Sequence, residues 1–333
     1  MGSMEAMRDA YGAALVELGR YDRRVVCLDA DLATSSKMDL FAAAYPERFF
    51  QVGIAEQNMM GMAAGLAAMG YVPFTNTFAV FATLRCADQI RVSIAQPRLP
   101  VVVGGAYSGL LSGKTGKTHQ AIEDIAVMRA MPNMTVVVPG DGVECRKAVQ
   151  ASAAYGGPVY LRMTRDPSPV VFDEAYDFRV GRATVVREGR DVAVLTTGTM
   201  VSRAIEAADT LANEGVSVHV VHVPTVKPID VPAVVDAAER TNLVVTAEDH
   251  NVLGGLGGAV AEVLGEHRPV PLRRVGVVDI YSESAPNDDL LERYGLTAGH
   301  IAHTARLLLE GRRNVVQRRS GCVRTGATGK RDI

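Results

Sequence analysis

At 333 residues with 48% hydrophobic content, the chain is long enough for two domains with cores of ordinary size. A formal net charge of −2 provides no basic surface for nucleic acid, and no apolar run has the length of a membrane span. The four cysteines, Cys27, Cys86, Cys145 and Cys322, lack C-x-x-C spacing, so reduced thiols in a cytoplasmic protein are the expectation.

Met1-Gly2-Ser3-Met4 reads as a few added residues before an amphipathic run, Met7 to Leu18. Strands are predicted at Val25–Ala30, Phe49–Val52, Pro100–Gly105, Met134–Pro139 and Val159–Met163. Helical patterns separate them, starting near Ala55, over Ala121–Ala130, and from Gly140-Asp141-Gly142 to about Ala154. Continuous apolar strands between helices argue for a parallel sheet covered on both faces, here over residues 5–165. Residues 166–180, with Pro167 and Pro169, read as a linker. A second α/β unit is predicted over 181–311, from strands at 191–198, 216–223 and 243–249. Its helices are expected at Met200–Glu214, around Val231–Arg240 and after Gly254–Gly258. The fold class is therefore two wound α/β domains. Residues 312–333 are basic and Gly/Ser/Thr-rich, and are expected to be disordered.

The stretch Phe49 to Arg91 carries the chemistry. Glu56 is the single acid in a run of small and apolar residues, placed where a strand passes through Gly53 into a helix. A carboxylate in a first helical turn is favoured by the exposed N–H groups there. Gly61 and Gly65, with Ala63, Ala64, Ala67 and Ala68, leave a helix face almost without side chains, which lets another helix approach closely. A capping glutamate on a packed helix is the plainer explanation. Against it stand Phe78 and Phe81, three residues apart, in a chain only 5% aromatic.

GIAEQN at 53–58, TFAVF at 77–81, THQAIEDIAVMR at 118–129 and PNMTVVVP at 132–139 together resemble the pyrimidine-binding half of transketolases. The resemblance continues to about residue 310 as the pyrimidine domain followed by the transketolase C-terminal domain. It implies thiamine diphosphate as cofactor. Glu56 matches the glutamate that hydrogen-bonds the aminopyrimidine ring and favours its imino tautomer, and Phe78, Phe81, Asp31 and Ile54 match positions beside the cofactor. Arg8, Ser35 and Arg165 match groups that hold a sugar phosphate, a task suited to the paired donors of guanidinium. His119 matches a histidine that contacts substrate oxygens and assists proton transfer. Three positions depart from the usual pattern: Thr115 replaces an aspartate that reads a sugar hydroxyl, Tyr107 replaces a histidine near the phosphate, and Leu84 replaces a tyrosine of some members.

Diphosphate binding in this cofactor class uses GDG and, some thirty residues on, an asparagine that together hold Mg2+. Gly140-Asp141-Gly142 follows a strand with no such asparagine near residue 170, and reads as a turn and helix start. Gly254 to Gly258 lacks dinucleotide-loop spacing and resembles a glycine turn of the C-terminal domain. The expectation is a split transketolase: this chain holds no metal, and an N-terminal diphosphate-binding subunit supplies the Mg2+ site. Two copies of each subunit would act on sugar phosphates. The alternatives are a deoxyxylulose-phosphate synthase half, the β subunit of a 2-oxo acid dehydrogenase, and a non-catalytic scaffold subunit.

Overall fold

The computed structural model describes residues 3–324. Its larger sheet has seven strands. Across the sheet they run Thr225–Lys227, Thr135–Val137, Val159–Arg162, Val102–Ala106, Val72–Phe78, Val25–Asp29 and Phe49–Gln51. All pairings are parallel except that of Thr225–Lys227 with Thr135–Val137. Alternate residues of each strand serve opposite cores, as a two-residue side-chain period requires. Val25 and Cys27 join Tyr11, Leu15, Phe41 and Val149 on one face, while Val26 and Leu28 join Met59, Met60, Ile90 and Met128 on the other. The predicted parallel sheet with two covered faces is therefore present.

The second sheet runs Leu272–Val277, Val244–Asn251, Val192–Thr196, Val218–His222 and Thr184–Arg187. Only the edge strand Thr184–Arg187 is antiparallel. Thr225–Lys227 leaves this half of the chain and extends the first sheet, a crossing that sequence reading missed. Three residues between Pro224 and Pro228 carry no period to detect. The 166–180 segment is itself packed. Ser168–Pro169 pairs with Met4–Glu5, and Asp141 Oδ2 accepts from the backbone N–H groups of Val171 and Phe172. The other oxygen of Asp141 caps the helix Gly142–Ala154 through Glu144 N, so the GDG is a helix start, as read.

The expectation of a disordered tail covers residues 312–333. The helix Ala298–Arg324 continues into them, and 325–333 lie outside the described residues. Extending a nucleated helix adds one hydrogen bond per residue fixed, and Arg, Gln and Glu are good helix formers, so polarity alone does not end it.

The two halves meet at a buried polar cluster. Arg162 forms a buried ion pair with Asp124 at 2.7 Å. It also donates to the backbone carbonyls of Ala121 and Asp249. Tyr160 donates at 2.6 Å to Asp124 Oδ2, the oxygen that also accepts from Arg162 Nε. Burial opposes ionisation of Asp124, but the Arg162 guanidinium outweighs it and holds the carboxyl below its usual range. For Asp249 burial wins over Arg162 and pushes the carboxyl up. Among the described residues no helix is long and apolar enough to cross a membrane, and Cys27, Cys86 and Cys145 are buried free thiols.

Candidate active site

The site lies at the carboxyl ends of the parallel strands, the edge where open α/β sheets place their ligand-contacting loops. Phe78 is the last residue of its strand, and the chain turns directly into the π-helical turn Phe81–Arg85. That turn sets the two rings 5.9 Å apart. The neighbouring strand ends before Tyr107, a non-glycine residue at φ 59°, whose ring stacks on Phe78 at 4.2 Å. His119 meets both phenylalanines edge-on, at 5.5 and 5.3 Å. Its Nδ1 faces Thr118 Oγ1 at 2.8 Å, and among the described residues Nε2 has no hydrogen-bond partner.

Glu56 is the first residue of the helix Glu56–Ala68 and only 3% exposed. Gly53 enters it at φ 71°, a conformation that favours glycine. Glu56 Oε1 accepts from Arg85 Nη1 at 2.8 Å, and the Arg85 guanidinium lies 4.3 Å from the Phe81 ring centroid. The carboxylate, the cation and the aromatic wall are thus one contiguous unit. Arg85 was not singled out from sequence. Its place four residues after Phe81, on one helical face, was the available signal.

Two arginines converge on Tyr107 from other elements. Arg8, in the first turn of Met7–Tyr21, donates from Nη1 to the Tyr107 hydroxyl at 3.3 Å and to the Ser35 carbonyl at 3.4 Å. The Arg165 guanidinium lies 5.3 Å from the Tyr107 centroid and pairs with Asp166 at 3.3 Å. The Nε atoms of both arginines are buried with no hydrogen-bond partner among the described residues. Unpaired buried guanidinium donors are costly, and an anionic ligand satisfies them.

The structure therefore brings together Arg8, Ser35, Phe78, Phe81, Tyr107, His119 and Arg165, with Glu56 joined through Arg85. Thr115 behaves differently. Its hydroxyl proton goes to Ser112 O at 2.6 Å, so toward a substrate it offers only an acceptor. Asp31 and Ile54 stand exposed, Ile54 at 76%. Asp31 sits at φ 64° with its N–H donating to Gln51 Oε1 at 2.8 Å. Asp29, also unrecognised in the sequence, shapes this segment by accepting from Leu32 N at 2.6 Å and Gln51 Nε2 at 3.1 Å. Burial pushes its carboxyl up against those hydrogen bonds. On the helix beginning at Glu56, a Cβ added at Gly61 or Gly65 would meet open space.

Residues 3–169 match the transketolase pyrimidine-binding domain, and residues 181–301 match the transketolase C-terminal domain. The chain belongs to the transketolase family. It is 46% identical to the 6-deoxy-6-sulfo-D-fructose transketolase subunit of Clostridium sp. (strain MSTE9), over 91% of this chain and 94% of that one. It is 34% identical to an apulose-4-phosphate transketolase subunit of Phocaeicola vulgatus, over 91% of this chain and 97% of that protein. A solved structure described as a split gene transketolase, inactive beta4 tetramer, superposes with a TM-score of 0.85 at 48% identity. The match covers 92% of this chain and 99% of that one. The transketolase of Campylobacter jejuni shares the fold at a TM-score of 0.78 and 24% identity, and this chain covers 46% of it.

Transketolase membership implies dependence on thiamine diphosphate. A buried carboxylate, joined through Arg85 to a pair of phenylalanine rings, suits the flat, hydrogen-bonding aminopyrimidine of that cofactor. Among the described residues no group of three His, Cys, Asp or Glu side chains is placed to hold a metal ion.

Proposed function

We propose that this chain is the pyrimidine-binding subunit of a split transketolase that moves a two-carbon ketol unit from a ketose phosphate to an aldose. A separate N-terminal subunit supplies the diphosphate and Mg2+ site, and two copies of each build the active sites at their contacts. The observation that carries this reading is the buried Glu56 carboxylate, held by Arg85 beside Phe81 at one end of the aromatic row, with Arg8 and Arg165 beside Tyr107 at the other. When bound, thiamine diphosphate supplies the carbon centre and the electron sink for ketol transfer.

The chain's own residues orient and move protons. Glu56 accepts a hydrogen bond from the pyrimidine ring nitrogen through a carboxylate oxygen and so stabilises the proton there. Phe78 and Phe81 flank the ring and exclude water from it, and Ile54 and Asp31 border the cofactor from the exposed rim. His119 Nε2 faces the substrate oxygens and exchanges protons with them. Arg8 and Arg165 bind the donor's terminal anion, with Ser35 and Tyr107 completing the cradle. Thr115 contributes an acceptor to the sugar, set between the exposed Lys114 and nearby Lys117.

The open Gly61/Gly65 face of the helix that begins with Glu56 accommodates a partner helix, and the exposed Ile54 and Met69 are covered by it. The 48%-identical solved structure is described as an inactive beta4 tetramer of a split gene transketolase, which agrees with a site completed by a second polypeptide. The 46%-identical relative is named for a sulfonated ketose. A terminal sulfonate presents the same three-oxygen face to Arg8 and Arg165 as a phosphate does, so both donor classes belong in the assay.

The test is ketol transfer by the complex reconstituted with its diphosphate-binding partner, using fructose 6-phosphate, its 6-sulfo analogue and an unphosphorylated donor. Arg165→Met is expected to raise KM for both anionic donors about tenfold or more, the worth of one charge-assisted hydrogen bond, with kcat nearly unchanged. Equal effects on charged and uncharged donors would remove Arg165 from anion binding.

A further inference from the structure

The loop from Gly109 to Gln120 carries Thr115 and His119, and while His119 meets Phe78 and Phe81, several of the loop's other residues rest on the second α/β unit. Three of its glycines explain themselves there. A Cβ at Gly109 would collide with the Asp249 carboxylate, one at Gly113 with Ala285 O and Asn287 Oδ1, and one at Gly116 with Ser284 Oγ. The ties are polar as well. Leu110 N donates to Asp249 Oδ1 at 3.0 Å, Ala285 N donates to Gly113 O at 3.3 Å, and Gln120 Nε2 donates to Glu283 O at 3.3 Å.

Asn287 differs from the other ties in holding two walls of the site with one amide. Its Oδ1 accepts from Gly113 N at 2.9 Å, two residues before Thr115. Its Nδ2 donates to Asp166 Oδ2 at 2.7 Å. The other oxygen of Asp166 pairs with Arg165 Nη1 at 3.3 Å. The two partners fix the amide orientation, since an N–H needs the oxygen and a carboxylate needs the NH2.

We infer that Asn287, from the C-terminal domain, is a positioning residue for the donor site, setting the distance between the His119 loop and Arg165. The inference rests on the transketolase reading above. An amide clamped at both ends fixes the separation of two groups that must contact opposite parts of one substrate, which is the geometry that orientation effects demand. The C-terminal domain then shapes donor recognition without touching the donor.

The two halves of the amide can be separated experimentally. Asn287→Asp keeps an oxygen for Gly113 N and places a second carboxylate against Asp166. Asn287→Ala removes both hydrogen bonds. In the reconstituted complex, Asn287→Asp is expected to raise KM for fructose 6-phosphate about tenfold, with kcat and the KM for unphosphorylated hydroxypyruvate within about twofold. Amide exchange of residues 110–119, measured by mass spectrometry on the full chain, stays near wild type in Asn287→Asp. In Asn287→Ala it accelerates about tenfold or more, and kcat falls for both donors because the His119 loop is no longer held. Unchanged loop exchange in Asn287→Ala, or an equal loss on both donors in Asn287→Asp, would overturn the inference. Absent turnover of every donor by the wild-type complex would count against the transketolase reading, whereas the exchange arm needs no substrate and decides the role of Asn287 by itself.

Discussion

Glu56→Gln is expected to abolish most ketol transfer while leaving the fold and most cofactor affinity intact. The substitution is nearly isosteric, at a position 3% exposed whose immediate partner is Arg85. Glutamine can still hydrogen-bond the pyrimidine ring through its carbonyl oxygen. It cannot supply the negative charge that makes protonation of the ring nitrogen favourable, and it leaves Arg85 without its counter-ion. Removing a group that assists proton transfer costs about a hundredfold or more in rate. The loss belongs in kcat rather than KM, because the proposed donor-binding arginines lie at the other end of the aromatic row. Steady-state assay of the reconstituted complex, with thermal unfolding as the control for folding, reads both quantities. Turnover near wild type in a folded variant would take Glu56 out of the mechanism.

The second large effect concerns stability. Arg162→Met leaves Asp124 without the cation that offsets its burial, and also removes the donors to Ala121 O and Asp249 O. Breaking a fully buried pair from one side costs about 3–5 kcal/mol, more than most single substitutions, because an uncompensated charge remains. The double variant Arg162→Met with Asp124→Asn carries no stranded carboxylate and is expected to recover part of that loss. The pH dependence has a definite sign. The folded-state Asp124 carboxyl lies below its usual value, so its contribution is present above the unfolded value and lost as pH falls through the folded one. The gap between wild type and Arg162→Met is therefore widest near neutrality and narrows as the pH is lowered. Urea unfolding at several pH values measures it. A gap of under about 1 kcal/mol at neutral pH would mean that the buried pair contributes no more than an exposed one.

Much of this arrangement could be read from local sequence, and the remainder fails for definable reasons. The strands Val25–Asp29, Val102–Ala106 and Val159–Arg162 are buried on both faces, so apolar runs between helices announce them. Glu56 is visible because an acid stands out in a small-residue run, and Phe78 and Phe81 because they stand three residues apart in a chain only 5% aromatic. The meeting of Tyr107, Arg8 and Arg165 is different in kind. These residues come from three elements and converge only because parallel strands share a carboxyl edge, so the family resemblance, and no local pattern, pointed to them. Arg85, Asp29 and Asp249 went unrecognised because a single charge near a strand or helix end looks the same whether solvated or buried. Thr225–Lys227 went unrecognised because its partner strand lies about ninety residues earlier, in the other half of the chain. The helix Ala298–Arg324 runs on into the polar residues 312–324, where composition registers polarity but not that an established helix extends readily.

Whether this chain forms half of a cofactor site is decided most directly by calorimetry. Thiamine diphosphate with Mg2+ is titrated into the purified chain, into the diphosphate-binding partner, and into an equimolar mixture of the two. The prediction is weak or no binding to this chain alone and tight binding to the mixture, accompanied by ketol transfer only there. Tight, Mg2+-dependent binding to this chain in the absence of the partner would contradict it.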